Sequence, residues 1–118
     1  MIIALSFISF VVVASEIEIP HLLLKGNAEA GADLVATCAA CHGAAGQSIN
    51  SDWPNLAGQN QRYLADQLKY YQQSQRESPL MGAVIPYLKT LSDKQLLDIA
   101  AFYNSQPLII GRAKNNQE

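Results

Sequence analysis

Cysteine, histidine, methionine and tryptophan are all scarce here. The 118 residues include two Cys, two His, one Trp and two Met, one of them the initiator. That is a poor stock for a structural zinc site, which takes about four N/S ligands. Cationic excess is also missing, with eight Lys and Arg against ten Asp and Glu and a net charge of −2. Without a basic footprint, nucleic acid is excluded as the expected partner. No apolar run reaches the ~20 residues of a membrane-spanning helix. The longest covers 2–14, broken only by Ser6 and Ser9, and no Lys or Arg precedes Lys25. There is no internal repeat, no convincing strand and no βαβ pattern, so the chain reads as all-α.

The few soft donors are concentrated in one place, Cys38-Ala39-Ala40-Cys41-His42. Residues three and four apart share one face of a helical turn. Cys38 and Cys41 can therefore meet the two vinyl groups along one porphyrin edge, while His42 turns its ring beneath the macrocycle to reach the iron. Cys-x-x-Cys-His is the attachment signature of a c-type haem, and His is a common axial ligand. Three other readings explain less. A redox dithiol belongs in a βαβ context. A zinc site would have to recruit His21 and use adjacent Cys41 and His42 in one tetrahedron. A structural disulfide leaves His42 without a purpose.

Residues 1–14 read as a secretory signal, with Val12-Val13-Ala14 as the small-residue cleavage site, although the positive n-region is absent. An uncleaved N-terminal anchor is the alternative. Residues 15–118 read as a single domain with a core of about 26–106. Residues 15–25 form an extended arm, with Pro20 and Gly26 as breakers and His21 as a surface residue. Asn27 is placed to cap a helix that carries Glu29 and Asp33 in its early turns and runs through the Cys-x-x-Cys-His motif to Gly43. Ala30, Leu34 and Thr37 or Cys38 would form its inward face, and Gly31 inside it calls for a packing reason. Residues 47–60 are rich in turn formers, anchored by Trp53 and Leu56. Trp53 lies against the porphyrin or pins the loop to the core.

The next helix is expected over 61–74, with Tyr63, Leu64, Gln67, Leu68 and Tyr71 on one stripe and Arg62, Asp66 and Lys69 towards water. Pro79, Gly82 and Pro86 break regularity over 75–86. Met81 lies in that break, 39 residues after His42, where it can cross the opposite haem face as sixth ligand or serve as a gap-filling core residue. Ser92 and Gln95 have capping-box spacing. Leu96, Leu97, Ile99, Ala100 and Tyr103 follow as a buried stripe, before Pro107 ends the last helix. Residues 108–118 form a tail.

The chain resembles the monohaem class I c-type cytochromes of the bacterial cytochrome c4 and c553 group. The resemblance rests on Cys38-Ala-Ala-Cys-His-Gly43, Pro54-Asn-Leu-Ala-Gly-Gln59, Tyr63-Leu64 with Gln67-Leu68, the Arg76-to-Met81 segment, and Leu91-Ser-Asp93 leading to Ala100-Ala-Phe-Tyr103. It implies a class I cytochrome c fold, with helices wrapped around one covalent haem c. Cys38 and Cys41 would hold the haem, and His42 and Met81 would ligate its iron. Pro54 would accept a hydrogen bond from the His42 ring through its carbonyl, and Gly31 and Tyr103 would be the small and aromatic partners where the terminal helices cross. The implied function is one-electron transfer in the periplasm, not enzymatic turnover. Redox proteins would dock transiently, with a quinol-oxidising complex as donor and a terminal oxidase or reductase as acceptor. Membrane contact would come only through those partners or an uncleaved leader. A haem enzyme or gas sensor with a displaceable distal ligand is the rival reading, and a membrane-tethered relay the third.

Overall fold

Two helix starts follow from side chains that replace missing backbone partners. The Asn27 side chain accepts from the Ala30 N–H at 3.0 Å and opens α1 (Ala28–Ala32). At the other end of the chain, Ser92 accepts from the Gln95 N–H at 3.2 Å and Gln95 returns the bond to the Ser92 N–H at 2.9 Å. This reciprocal pair opens α5 (Asp93–Ser105). Between them lie α2 (Ala36–His42), α3 (Gln61–Gln72, capped by the Asn60 side chain), a 3₁₀ turn at Met81–Ala83 and α4 (Ile85–Leu88). The computed structural model describes residues 25–108, and no strand occurs among them. The signal expected at 1–14, His21 and most of the tail lie outside the described residues.

The expected continuous helix from Asn27 to Gly43 is divided in two. In an unbroken helix the Leu34 carbonyl would accept from the amide four residues on. Here it accepts from the Tyr87 hydroxyl at 2.7 Å, a partner 53 residues away. The chain tightens through Leu34 N–H to Gly31 O and restarts with Ala39 N–H to Val35 O. As a result Val35 and Cys38 turn inwards, whereas Ala30, expected on the same face, is exposed. Further on, α3 stops at Gln72, two residues short of expectation, and Ser74 takes a positive φ of 57°. The 75–86 stretch is less irregular than its prolines suggest. Pro86 sits in the first turn of α4, where a missing N–H costs nothing.

The core is organised by α5. Leu96, Leu97, Ile99, Ala100 and Tyr103 are buried, as their spacing predicts. α1 crosses α5 at Gly31, where a Cβ would overlap the Asp98 carbonyl and press on Phe102. The crossing partners of Gly31 are therefore Asp98 and Phe102 and not Tyr103, which corrects the implied Gly31–Tyr103 pair. Tyr103, one residue and about 100° further round α5, lies against Gly46 instead. Gln72 ties α3 to the turn before α5 by donating to the carbonyls of Leu88 and Leu91, both at 2.8 Å.

Asp98 is buried on the same crossing. It accepts from the Asn27 N–H at 2.7 Å and pairs with Lys94. Burial by itself would raise this carboxyl, but the Lys94 and Asn27 donors outweigh it and hold the group below the usual carboxylate range. A depressed folded-state pKa stabilises the fold above the unfolded value, and the contribution fades as pH falls through the folded value. Asp98→Asn is therefore expected to cost about 1–3 kcal/mol at neutral pH. The loss should shrink as urea melts are repeated at progressively lower pH.

Candidate haem-binding site

The expected stripe of α3 borders an opening, with Leu64 and Tyr71 also buried in the core. Tyr63, Leu64, Gln67, Leu68 and Tyr71 all line a cavity of about 420 Å³, within the ~300–1,000 Å³ typical of cofactor pockets. Opposite them stand Cys38, Cys41 and His42 from α2, Met81 from the 3₁₀ turn, and Tyr103 from α5. Trp53 also lines the cavity with a half-buried ring, while Leu56, the other expected anchor of its loop, packs against the core. All four residues singled out for cofactor and iron binding thus border one space, although they come from segments up to 43 positions apart. His21 lies outside the described residues.

The orientation of His42 is set from outside α2. Its side chain is buried, and its Nδ1 lies 2.7 Å from the Pro54 carbonyl oxygen. A carbonyl can only accept, so Nδ1 carries a proton, and in the neutral ring Nε2 is left with its lone pair. This is the arrangement by which an outer partner fixes the tautomer and raises the basicity of a metal-binding imidazole. Pro54 is itself held by its loop. The Asn55 side chain accepts from the Ser48 N–H at 2.7 Å, and the Leu56 and Ala57 N–H groups both reach the Gly46 carbonyl. Gly46 needs its left-handed φ of 74°, and any Cβ there would come within 2.7 Å of the Tyr103 ring.

The two cysteines are free thiols in different surroundings: Cys38 is buried and Cys41 exposed. Burial pushes the Cys38 thiol up, only partly offset by the nearby Tyr103 hydroxyl. Burial likewise raises Tyr103, with negative charge on Cys38 adding to the effect. The Tyr103 hydroxyl has no hydrogen-bond partner. Leaving such a group buried costs about 1–3 kcal/mol, so something belonging in this cavity is expected to answer it. An apolar cleft containing two thiols three residues apart, an imidazole with a free Nε2, a thioether and an unanswered hydroxyl fits an attached haem. Nothing in the sequence signalled the Tyr87 hydroxyl bond to Leu34 or the burial of the Tyr103 hydroxyl near Cys38, since each depends on a segment more than 50 residues away.

The sequence model of the cytochrome c family matches residues 28–106. The chain belongs to the cytochrome c family. It is 43% identical over 81 residues to cytochrome c-554(548) of Halomonas halodenitrificans, covering 69% of this chain and 98% of that protein. It is 42% identical over 91 residues to cytochrome c4 of Pseudomonas aeruginosa, covering 77% of this chain and 44% of that one. The fold is similar to the crystal structure of reduced recombinant cytochrome c4 from Pseudomonas stutzeri, with a TM-score of 0.64 and 41% identity over 70% of this chain and 46% of that chain. The chain thus spans less than half the length of these cytochrome c4 relatives and nearly all of the c-554(548) relative. Within the family it is a class I c-type cytochrome of the c4 group, carrying a covalently attached haem c, and its class is that of haem electron carriers.

The cavity also bears on stability. At ~24 cal/mol per Å³ of empty apolar volume, leaving 420 Å³ unfilled would cost up to about 10 kcal/mol, an upper bound because water can enter an open cleft. That is comparable with the whole ~5–15 kcal/mol stability of a small protein. Chain prepared without haem, by Cys38→Ala/Cys41→Ala, is therefore expected to lose its near-UV circular dichroism and cooperative melting. Retention of both would show that the cavity walls stand unaided.

Proposed function

We propose that this protein is a periplasmic one-electron carrier of a respiratory chain, with Cys38 and Cys41 as the two thioether anchors and His42 and Met81 as axial ligands. The observation that carries this reading is the 2.7 Å contact between His42 Nδ1 and the Pro54 carbonyl. It leaves Nε2 as a neutral donor inside the same cavity that Met81 enters from the other side of the fold. The bound haem supplies a one-electron Fe(III)/Fe(II) couple, and His/Met ligation raises its potential. The remaining work belongs to the chain. His42 is held in one tautomer, Met81 closes the second axial position to outside ligands, and the apolar walls keep water from the metal.

His42 and Met81 would together leave the iron no open position for a substrate, and the protein would act as a carrier and not as an enzyme. Partners would dock briefly over a small interface, as redox encounters do, with a quinol-oxidising complex as donor and a terminal oxidase or reductase as acceptor. Residues 1–14 would direct export and 15–118 would form the single mature domain. No helix among the described residues is long and apolar enough to cross a membrane. Membrane contact would therefore come through partners or a retained leader.

The test is the absorption spectrum of the purified holoprotein in both oxidation states, with carbon monoxide added to the reduced form. A low-spin c-type spectrum with the weak far-red sulfur-to-iron band, unmoved by carbon monoxide, is expected. A high-spin spectrum or prompt carbon monoxide binding would favour the enzyme or sensor reading. Met81→Ala should keep the haem attached and bind carbon monoxide. Its potential should fall by on the order of 0.1 V, within the ~0.8 V span set by axial ligands.

A further inference from the structure

Tyr103 is 2% exposed, yet among the described residues its hydroxyl is the one buried side-chain polar atom without a hydrogen-bond partner. It cannot swing towards solvent. The Gly46 backbone closes on one side of the ring, and Phe102 meets it edge-on at a centroid distance of 5.1 Å. The Tyr103 carbonyl is held by the Gly58 N–H at 2.9 Å. The hydroxyl is thus fixed in the cavity wall that Cys38 shares, and Cys38 is itself buried. Both side chains belong to the same buried cluster and line the same cavity, and the Tyr103 hydroxyl lies near enough to the Cys38 sulfur to act on its ionisation.

We propose that the Tyr103 hydroxyl donates a hydrogen bond to the Cys38 sulfur once that sulfur is a thioether, positioning the attached haem edge against α5. The inference rests on the reading of Cys38 as an attachment point. Cys38 adds across a vinyl double bond: the Sγ–C bond forms, the thiol proton ends on the neighbouring vinyl carbon, and no oxidant or reductant is required. The sulfur then keeps its lone pairs and has no proton to give. Tyr103, with its phenol acidity suppressed by burial, remains protonated and becomes the permanent donor. Withdrawal of electron density through the sulfur favours the ferrous haem. Tyr103 is thereby a positioning residue for the redox centre.

The experiment is Tyr103→Phe in the holoprotein. If the hydroxyl had no partner, removing it would relieve an unsatisfied buried group and leave Tm unchanged or higher. If it holds the thioether, Tm falls, and the ferrous:ferric ratio at fixed solution potential drops by about two- to threefold. In the ferrous wild-type protein, the Tyr103 hydroxyl proton should give a slowly exchanging NMR resonance with a nuclear Overhauser effect to the Cys38 β protons. A Tm that holds or rises, an unchanged ratio, or a hydroxyl proton in fast exchange with water would each overturn the proposal. Mass spectrometry and the alkaline pyridine haemochrome spectrum report separately whether both thioethers exist. A failure there would sink the attachment reading and the Tyr103 proposal with it, whereas with both thioethers present the Tyr103→Phe results overturn the Tyr103 proposal alone.

Discussion

An apolar space must be filled before the rest of this fold can hold. The helices are short, with α1 and α4 having five and four residues, and helices of that length are not stable without packing. α1 closes directly on α5 at Gly31. α3 and α5 pack together, but α3 also turns a full stripe of side chains towards the cavity, where Leu64, Leu68 and Tyr71 face residues from α2 and the Met81 turn. The cofactor space therefore belongs to the core. Its filling completes a core that the α1–α5 and α3–α5 contacts leave open on the side of α2.

From that constraint the supporting contacts take their meaning. The loop between α2 and α3 has little regular structure but is closely hydrogen-bonded, and this places the Pro54 carbonyl against the His42 ring. Gly46 serves two elements at once. Its carbonyl accepts the Leu56 and Ala57 amides, and its missing Cβ leaves room for Tyr103. On the far side, Gly31 lets α1 lie on the α5 backbone, with buried Asp98 taking the Asn27 amide at the start of α1. Through α5, the crossing with α1 is connected to the cavity wall. A packing defect at Gly31 would thus be felt as a displacement of Tyr103 as well as a loss of local contact.

Much of this was legible because it is local. Cys38, Cys41 and His42 lie within one helical turn, so their chemistry follows from spacing alone. The Asn27 cap and the Ser92–Gln95 capping box depend on residues three apart, and the α5 stripe on a 3.6-residue period. Met81 stood out through rarity, since no other methionine follows the initiator. The α3 stripe was visible as well, although periodicity cannot distinguish a face that meets side chains from one that meets a cofactor space.

What only the tertiary structure decided depends on partners distant in the chain. At the break between α1 and α2 the Leu34 carbonyl accepts from the Tyr87 hydroxyl, and nothing near residue 34 announces it. The nearest neighbours of Gly31 are Asp98 and Phe102, a pairing that depends on how α1 lies on α5 and is not written in either helix alone. The tautomer of His42 depends on a carbonyl twelve residues away, and the isolation of the Tyr103 hydroxyl on the closure of Gly46 over its ring. Sequence by itself determined which residues can carry the chemistry, because short-range geometry is written in residue spacing. The fold decided which proton, lone pair and carbonyl each presents, because those follow from contacts that form only when distant segments meet.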